Sequence, residues 1–289
     1  MRIVVRRGVP YVEPLKGETL ADCGPRQTVT LLRRYGHLIF RGFAPGETEF
    51  GEFIEQFGHC ADLPDAQLDQ FHPYQPDAIW SLRHAPGRTA DPEQVIDGVQ
   101  LLAGLTGRWA TFARGNAIRF DRLRSPEQCR RALRGHGRAA IEQRLARLRG
   151  IQYEFRADGS LFISFVTPMV CRTPAGADTI GQVALRAVLE SEPGSLRLAD
   201  GRPMPAELAE HLRDRAGAAC RTVGAAVGDL TVLDNHRMVR RSGFPGLVAR
   251  QCDNMLGSFP PRAASPLDAA VKWLLGNESG AGHLRPVTV

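Results

Sequence analysis

The residues with the most chemical capacity fall in one stretch, Asp234-Asn235-His236-Arg237-Met238-Val239-Arg240-Arg241, with Arg250 and Asn254 a short way beyond it. Arginine carries a permanent charge and a planar fork of donors, so Arg240 and Arg250 together can grip a carboxylate or steady an oxyanion. Histidine titrates near neutrality, which makes His236 a candidate to move a proton. His72, beside Tyr74 in a polar, proline-bounded stretch, is a second candidate for that role. A histidine near a strand end is equally a common hydrogen-bonded structural residue, and both alternatives stand.

These side chains need elements to aim them. Residues 230–233 follow a Gly-Asp turn, are apolar and β-branched, and read as a buried strand that Asp234-Asn235 breaks; residues 247–258 read as a returning strand. Upstream, 2–6 is an edge strand, and 28–35 is a short helix ended by Gly36 as its C-cap. Residues 37–43 form a strand. Thr48 is read as the N-cap of a helix over 48–57, in which Phe50, Phe53, Ile54 and Phe57 line one face. Residues 78–84 form another strand. Asp91-Pro92-Glu93-Gln94 has the make-up of a helix start, so 92–106 is assigned to a helix with Val95, Val99, Leu102 and Leu105 inward. Short strands are expected at 109–114 and 117–120, helices within an insertion over about 121–150, and a hairpin from 151–156 to 160–167. The turn Asp200-Gly201-Arg202-Pro203-Met204-Pro205 precedes a helix over 206–217, and Ser265-Pro266 opens a C-terminal helix.

Composition narrows the function classes. With 289 residues, 43% of them apolar, the chain can bury one sizeable core, and a single domain over 1–289 is expected. The net charge of +6 comes almost wholly from arginine, Lys16 and Lys272 being the only lysines, and acidic residues are interspersed. A nucleic-acid partner is not expected, because that calls for a contiguous basic face with stacking aromatics. No apolar run approaches the ~20 residues of a membrane span, and the N-terminus lacks the apolar core of a secretory signal. The expected location is cytoplasmic, with no membrane partner. Six cysteines without a C-x-x-C pair indicate neither a zinc site nor a disulfide framework, and most are expected to be small buried apolar residues.

Several motifs occur in a telling order: G-H-L-I-F-R-G-F at 36–43, F-x-x-F-I-x-x-F-G at 50–58, Asp97-Gly98, D-G-R-P-M-P at 200–205 and G-D-L-x-x-x-D-N at 228–235. Together they resemble the TauD/TfdA-like (taurine dioxygenase-like, clavaminate synthase-like) family of iron(II)/2-oxoglutarate oxygenases. The resemblance implies a mainly β protein with helical decorations (α+β) around a double-stranded β-helix, or jelly-roll, core. It also implies an iron held by two histidines and a carboxylate. Those ligand positions fall here on Ala66, Leu68 and Arg240, and none of the eight histidines stands in an H-x-D/E motif. His59-Cys60-Ala61 has the form of the H-x-A variant used by related halogenases, but follows the helix end too closely. Arg250 matches the family's 2-oxoglutarate carboxylate clamp, and Asn254 occupies its second arginine position.

The preferred expectation is therefore an enzyme of small-molecule biosynthesis on this fold with no metal site and no favoured cofactor. Its partner would be an anionic, carboxylate-bearing metabolite, held by Arg240 and Arg250 in one cavity between two sheets. Lyase, isomerase or condensation chemistry would follow, with His236 or His72 moving the proton. One alternative is a true oxygenase using Fe(II) and 2-oxoglutarate through displaced ligands such as His72 and His236. Another is a non-catalytic ligand sensor or partner protein. Nothing in the sequence sets the oligomeric state.

Overall fold

Strand β1 (Arg2–Arg6) turns into β2 (Val9–Glu13) through Arg7 and Gly8, both at positive φ (52° and 78°), the two-residue connection that suits the twist of a hairpin. The computed structural model describes residues 1–58, 60–62, 77–83, 93–132, 137–146, 151–191, 194–223, 226–240, 247–252 and 255–256. Helix α1 (Pro25–Tyr35) begins on proline and stops at Gly36, left-handed at φ 78°, whose N–H donates to the Leu32 carbonyl. Strand β3 (His37–Phe40) follows, shorter than the 37–43 expected. Helix α2 (Glu47–Glu55) is N-capped by Gly46 rather than Thr48, and Glu47 and Glu49 in its first turn complement the helix dipole.

The chain continues through β4 (Cys60–Asp62), β5 (Ala78–Arg83) and β6 (Glu93–Asp97). Here the expected helix over 92–106 is corrected. Its first part is strand β6, paired on both sides, and only α3 (Gly98–Gly104) is helical. The β-branched pair Val95-Ile96 suits a strand, and the cap is Asp97, whose Oδ1 accepts from the Val99 N–H at 3.0 Å. The strand expected at 109–114 is also corrected, being helix α4 (Gly107–Gly115), where Ala110 and Ala113 favour the helix.

Strand β7 (Ala117–Arg124) leads into α5 (Pro126–Ala132) and α6 (Arg138–Leu145), then into the hairpin β8 (Ile151–Phe155) and β9 (Leu161–Pro168). Next come β10 (Val170–Arg172), β11 (Asp178–Ile180), α7 (Gln182–Glu190), β12 (Arg197–Leu198), α8 (Ala206–Ala219) and β13 (Arg221–Val223). The last described strands are β14 (Leu230–Asp234), β15 (Met238–Arg240) and β16 (Leu247–Cys252).

The result is a mixed arrangement of helices and mostly antiparallel sheets. Among the described residues a seven-stranded major sheet runs β1-β2-β3-β14-β5-β16-β4, with only the β2–β3 pair parallel. Side chains alternate across it. One face carries Phe40, Trp80 and Val232 and is covered by Leu32 of α1 and by Phe50, Phe53 and Ile54 of α2. Phe53 meets Phe40 and Trp80 edge-on at 5.7 and 5.6 Å between centroids. The opposite face, with Ile39 and Leu233, packs on Val95, Val223 and Met238 of a three-stranded sheet ordered β13-β6-β15. The far side of that smaller sheet, Ile96 and Val239, belongs to a second core shared with β7, β9, α3, α7 and α8.

The cysteine expectation is corrected as well. Cys60 and Cys252 stand opposite each other in the β4–β16 register and are joined as a disulfide, 192 residues apart in sequence. That separation, closed only by the fold, is why no local cysteine motif announces it. Cys23, Cys129, Cys171 and Cys220 are thiols. Among the described residues no helix is long and apolar enough to cross a membrane.

Candidate functional site: the turn between β14 and β15

Strand β14 belongs to the major sheet and β15 to the smaller one, so the turn Asn235-His236-Arg237 carries the chain from one layer to the other. Its polar groups are tied down on every side. His236 Nε2 lies 2.9 Å from Asp77 Oδ1, while the Leu256 N–H donates to Asp77 Oδ2 at 2.8 Å. The Asn235 N–H donates to the Asp77 carbonyl, and the His236 N–H to Asp234 Oδ1 at 3.0 Å. Arg237 reaches back to Asp97, its Nε 3.0 Å from Oδ1 and its Nη2 in close contact with Oδ2, and its Nη1 donates to the Arg33 carbonyl.

Two glycines make room for this knot. A side chain on Gly36 would run into Arg237 Nε and Met238 Sδ, and one on Gly98 would strike the Ile180 carbonyl oxygen and Thr179 Oγ1. The turn thus joins the end of α1, the start of β5 and the start of α3. The Gln182 N–H, which opens α7, also donates to the His236 carbonyl.

Burial moves the titrating groups around it. Asp234 is fully buried, and burial pushes its carboxyl from the ordinary 3.8 up to about 6, against the pull of His236 and Arg237. Its Oδ2 has no hydrogen-bond partner among the described residues. His37 is buried at the other side of the turn, and burial drives its imidazole down to about 4, with Asp97 opposing and Arg221 adding to the fall. Cys171 is pushed up to about 11, first by burial and next by the Asp234 charge.

The structure separates two of the expected partners. Arg240 is 7% exposed and pairs with Val95 across β15 and β6, so it shares a side with Val95 and Met238, toward the space between the sheets. Arg250 pairs with Trp80, on the helix-covered face of the major sheet. Its guanidinium lies 5.8 Å from the Phe50 ring centroid and beside Gly51 of α2. The expectation that Arg240 and Arg250 converge in one cavity is therefore corrected: the alternation of β16 turns Arg250 outward, under α2. His72, Asn254, Arg241, positions 66 and 68, His59 and the helix expected from 265 lie outside the described residues.

Sequence inspection missed Asp77, Asp97 and Arg237 as the fixed points of this site. The signals were present, in Pro76-Asp77 ahead of a strand, in Asp97-Gly98, and in an arginine three residues past Asp234. They carry no motif for burial, and only the fold brings them together.

The described residues do not fit an iron(II) triad. Among them no group of three His, Cys, Asp or Glu is placed to hold a metal ion. Arg240, where the sequence resemblance implies the family's distal histidine, is a buried guanidinium with no lone pair to offer, and His236 Nε2 is engaged by Asp77.

No family profile matches the chain, and no curated protein matches it in sequence. Solved structures do match. The chain is similar to a putative alpha-ketoglutarate dependent 2,4-D dioxygenase from Burkholderia xenovorans, with TM-score 0.55 and 15% identity over 87% of this chain and 96% of that one. It is similar to AAD-2, solved with Mn(II) and N-oxalylglycine, with TM-score 0.56 and 13% identity over 87% of this chain and 97% of that one. PvcB from Pseudomonas aeruginosa matches with TM-score 0.53 and 15% identity over 84% and 85%. At such identities the likeness is one of fold alone: this chain has the fold of the TauD/TfdA-like iron/2-oxoglutarate dioxygenases.

Proposed function

We propose that the chain is a small-molecule enzyme that binds a carboxylate-bearing metabolite between the major sheet and the β13-β6-β15 sheet and acts on it without iron. The observation that carries this is Arg240, a buried guanidinium on the inter-sheet side of β15 where the resembling family places a metal-binding histidine. A permanent cation there suits a bound carboxylate or a developing oxyanion, the charge pattern of lyase, isomerase or condensation chemistry in a biosynthetic pathway. Proton transfer falls to His236, whose ring Asp77 orients, or to His72. In the same proposal the two sheets close into a double-stranded β-helix, supported by the packing of Val95, Val223 and Met238 on Ile39 and Leu233, and the enzyme works in the cytoplasm.

The test is calorimetric titration of chelator-treated protein with short 2-oxo acids and dicarboxylates. Binding without metal is expected. Arg240→Met should weaken it about tenfold or more, since a desolvated charge-assisted hydrogen bond is worth about 1.5–3 kcal/mol. The second reading, an oxygenase with displaced ligands, is favoured by the neighbours themselves, one structure of PvcB being described as an Fe, alpha-ketoglutarate dependent oxygenase. Binding that appears only after Fe(II) is added would select it.

A further inference from the structure

Among the described residues strand β4, three residues long, is the last strand of the major sheet, and β16 is its only partner there, through three residue pairs. Three backbone pairs at an edge are a weak hold, since an edge strand has a ladder on one side only. The Cys60–Cys252 disulfide is the covalent part of that hold. Its two cysteines differ in exposure. Cys252 is fully buried, whereas Cys60 is only partly so, its Sγ 3.4 Å from the Ile54 carbonyl at the end of α2. Arg250 lies two residues before Cys252 on the same face of β16, its guanidinium over the Phe50 ring of α2.

We propose that Cys60–Cys252 is a reversible thiol–disulfide latch on the edge of the major sheet, opened and closed by low-molecular-weight thiols of the glutathione class. In opening, the glutathione thiolate attacks Cys60 Sγ and forms a mixed disulfide there. The Cys60–Cys252 bond breaks, and Cys252 leaves as a thiolate that takes up a proton. A second glutathione thiolate attacks the glutathione sulfur of the mixed disulfide, releasing glutathione disulfide and the Cys60 thiolate. The net change is one protein disulfide and two thiols giving a protein dithiol and one glutathione disulfide, and glutathione disulfide is the oxidant of the reverse reaction. With the bond open, β4 is free to peel from β16, while β16 keeps its six-pair ladder to β5.

The test uses the full chain purified without reductant. Free thiols are blocked with iodoacetamide, the protein is equilibrated against a series of glutathione to glutathione disulfide ratios, and newly exposed thiols are labelled with N-ethylmaleimide for peptide mass analysis. Cys60 and Cys252 should escape the first label and take the second together as the ratio rises. In parallel, amide hydrogen exchange of unlabelled oxidised and glutathione-reduced protein should show residues 60–62 losing protection to near free-peptide rates, while β14 stays protected. Cys60→Ser supplies a permanently open form that should match the reduced protein. Alkylation of both cysteines in the untreated protein would overturn the proposal. So would reduced protein in which 60–62 stay protected, or in which 60–62 and β14 lose protection together, the mark of a global staple.

Discussion

Asp234 is held by two opposing demands. Its Oδ1 anchors the His236 N–H, which fixes the turn, yet full burial makes its charge costly and lifts the carboxyl from 3.8 to about 6. A raised carboxyl pKa means the folded state binds the proton more tightly than the unfolded chain, so stability falls as pH rises between about 4 and 6. The shift corresponds to about 3 kcal/mol. His37 acts in the opposite sense: its pKa, lowered from 6.5 to about 4, adds stability as pH rises over nearly the same window. The two contributions largely cancel in the native protein. Asp234→Asn removes one of them, so denaturant titrations should show the variant gaining on the native protein by about 3 kcal/mol between pH 4 and pH 7. A gap that stays constant with pH would show that Asp234 is not buried as described.

At the scale of elements, Asp97 joins the end of β6 to the start of α3 and carries Arg237 besides, so one carboxylate serves a helix cap and a buried ion pair. Removing one partner of such a pair is far worse than removing both. Asp97→Ala should cost about 3–5 kcal/mol in chemical denaturation, and Asp97→Leu combined with Arg237→Met should recover most of it. This junction also marks the limit of what the sequence made legible. Strands at 78–83, 161–167 and 230–234 and the helices after Pro25 and Pro205 were readable because periodicity and caps are local. β6 was not, since Val95, Val99 and Leu102 mimic a helical stripe and only pairing with β13 and β15 makes the segment a strand. Arg250 was readable as a charge but not as a direction, because its facing depends on the register of β16 against β5. The Cys60–Cys252 bond depended in the same way on pairing between distant strands.

For the molecule as a whole, the likeness in fold to iron/2-oxoglutarate dioxygenases and the charge at Arg240 pull apart. An open iron(II) site draws on about three protein ligands, and a guanidinium beside the metal would add like-charge repulsion in a partly buried space. The turn between β14 and β15 joins the two layers, and just beyond it Arg240, where the resemblance implies a metal-binding histidine, is a buried cation. The most direct measurement is anaerobic titration of the full chain with Fe(II) and 2-oxoglutarate, followed by metal analysis after desalting. The account predicts trace iron and no metal-to-ligand charge-transfer absorbance; a full equivalent of iron with that absorbance would contradict it.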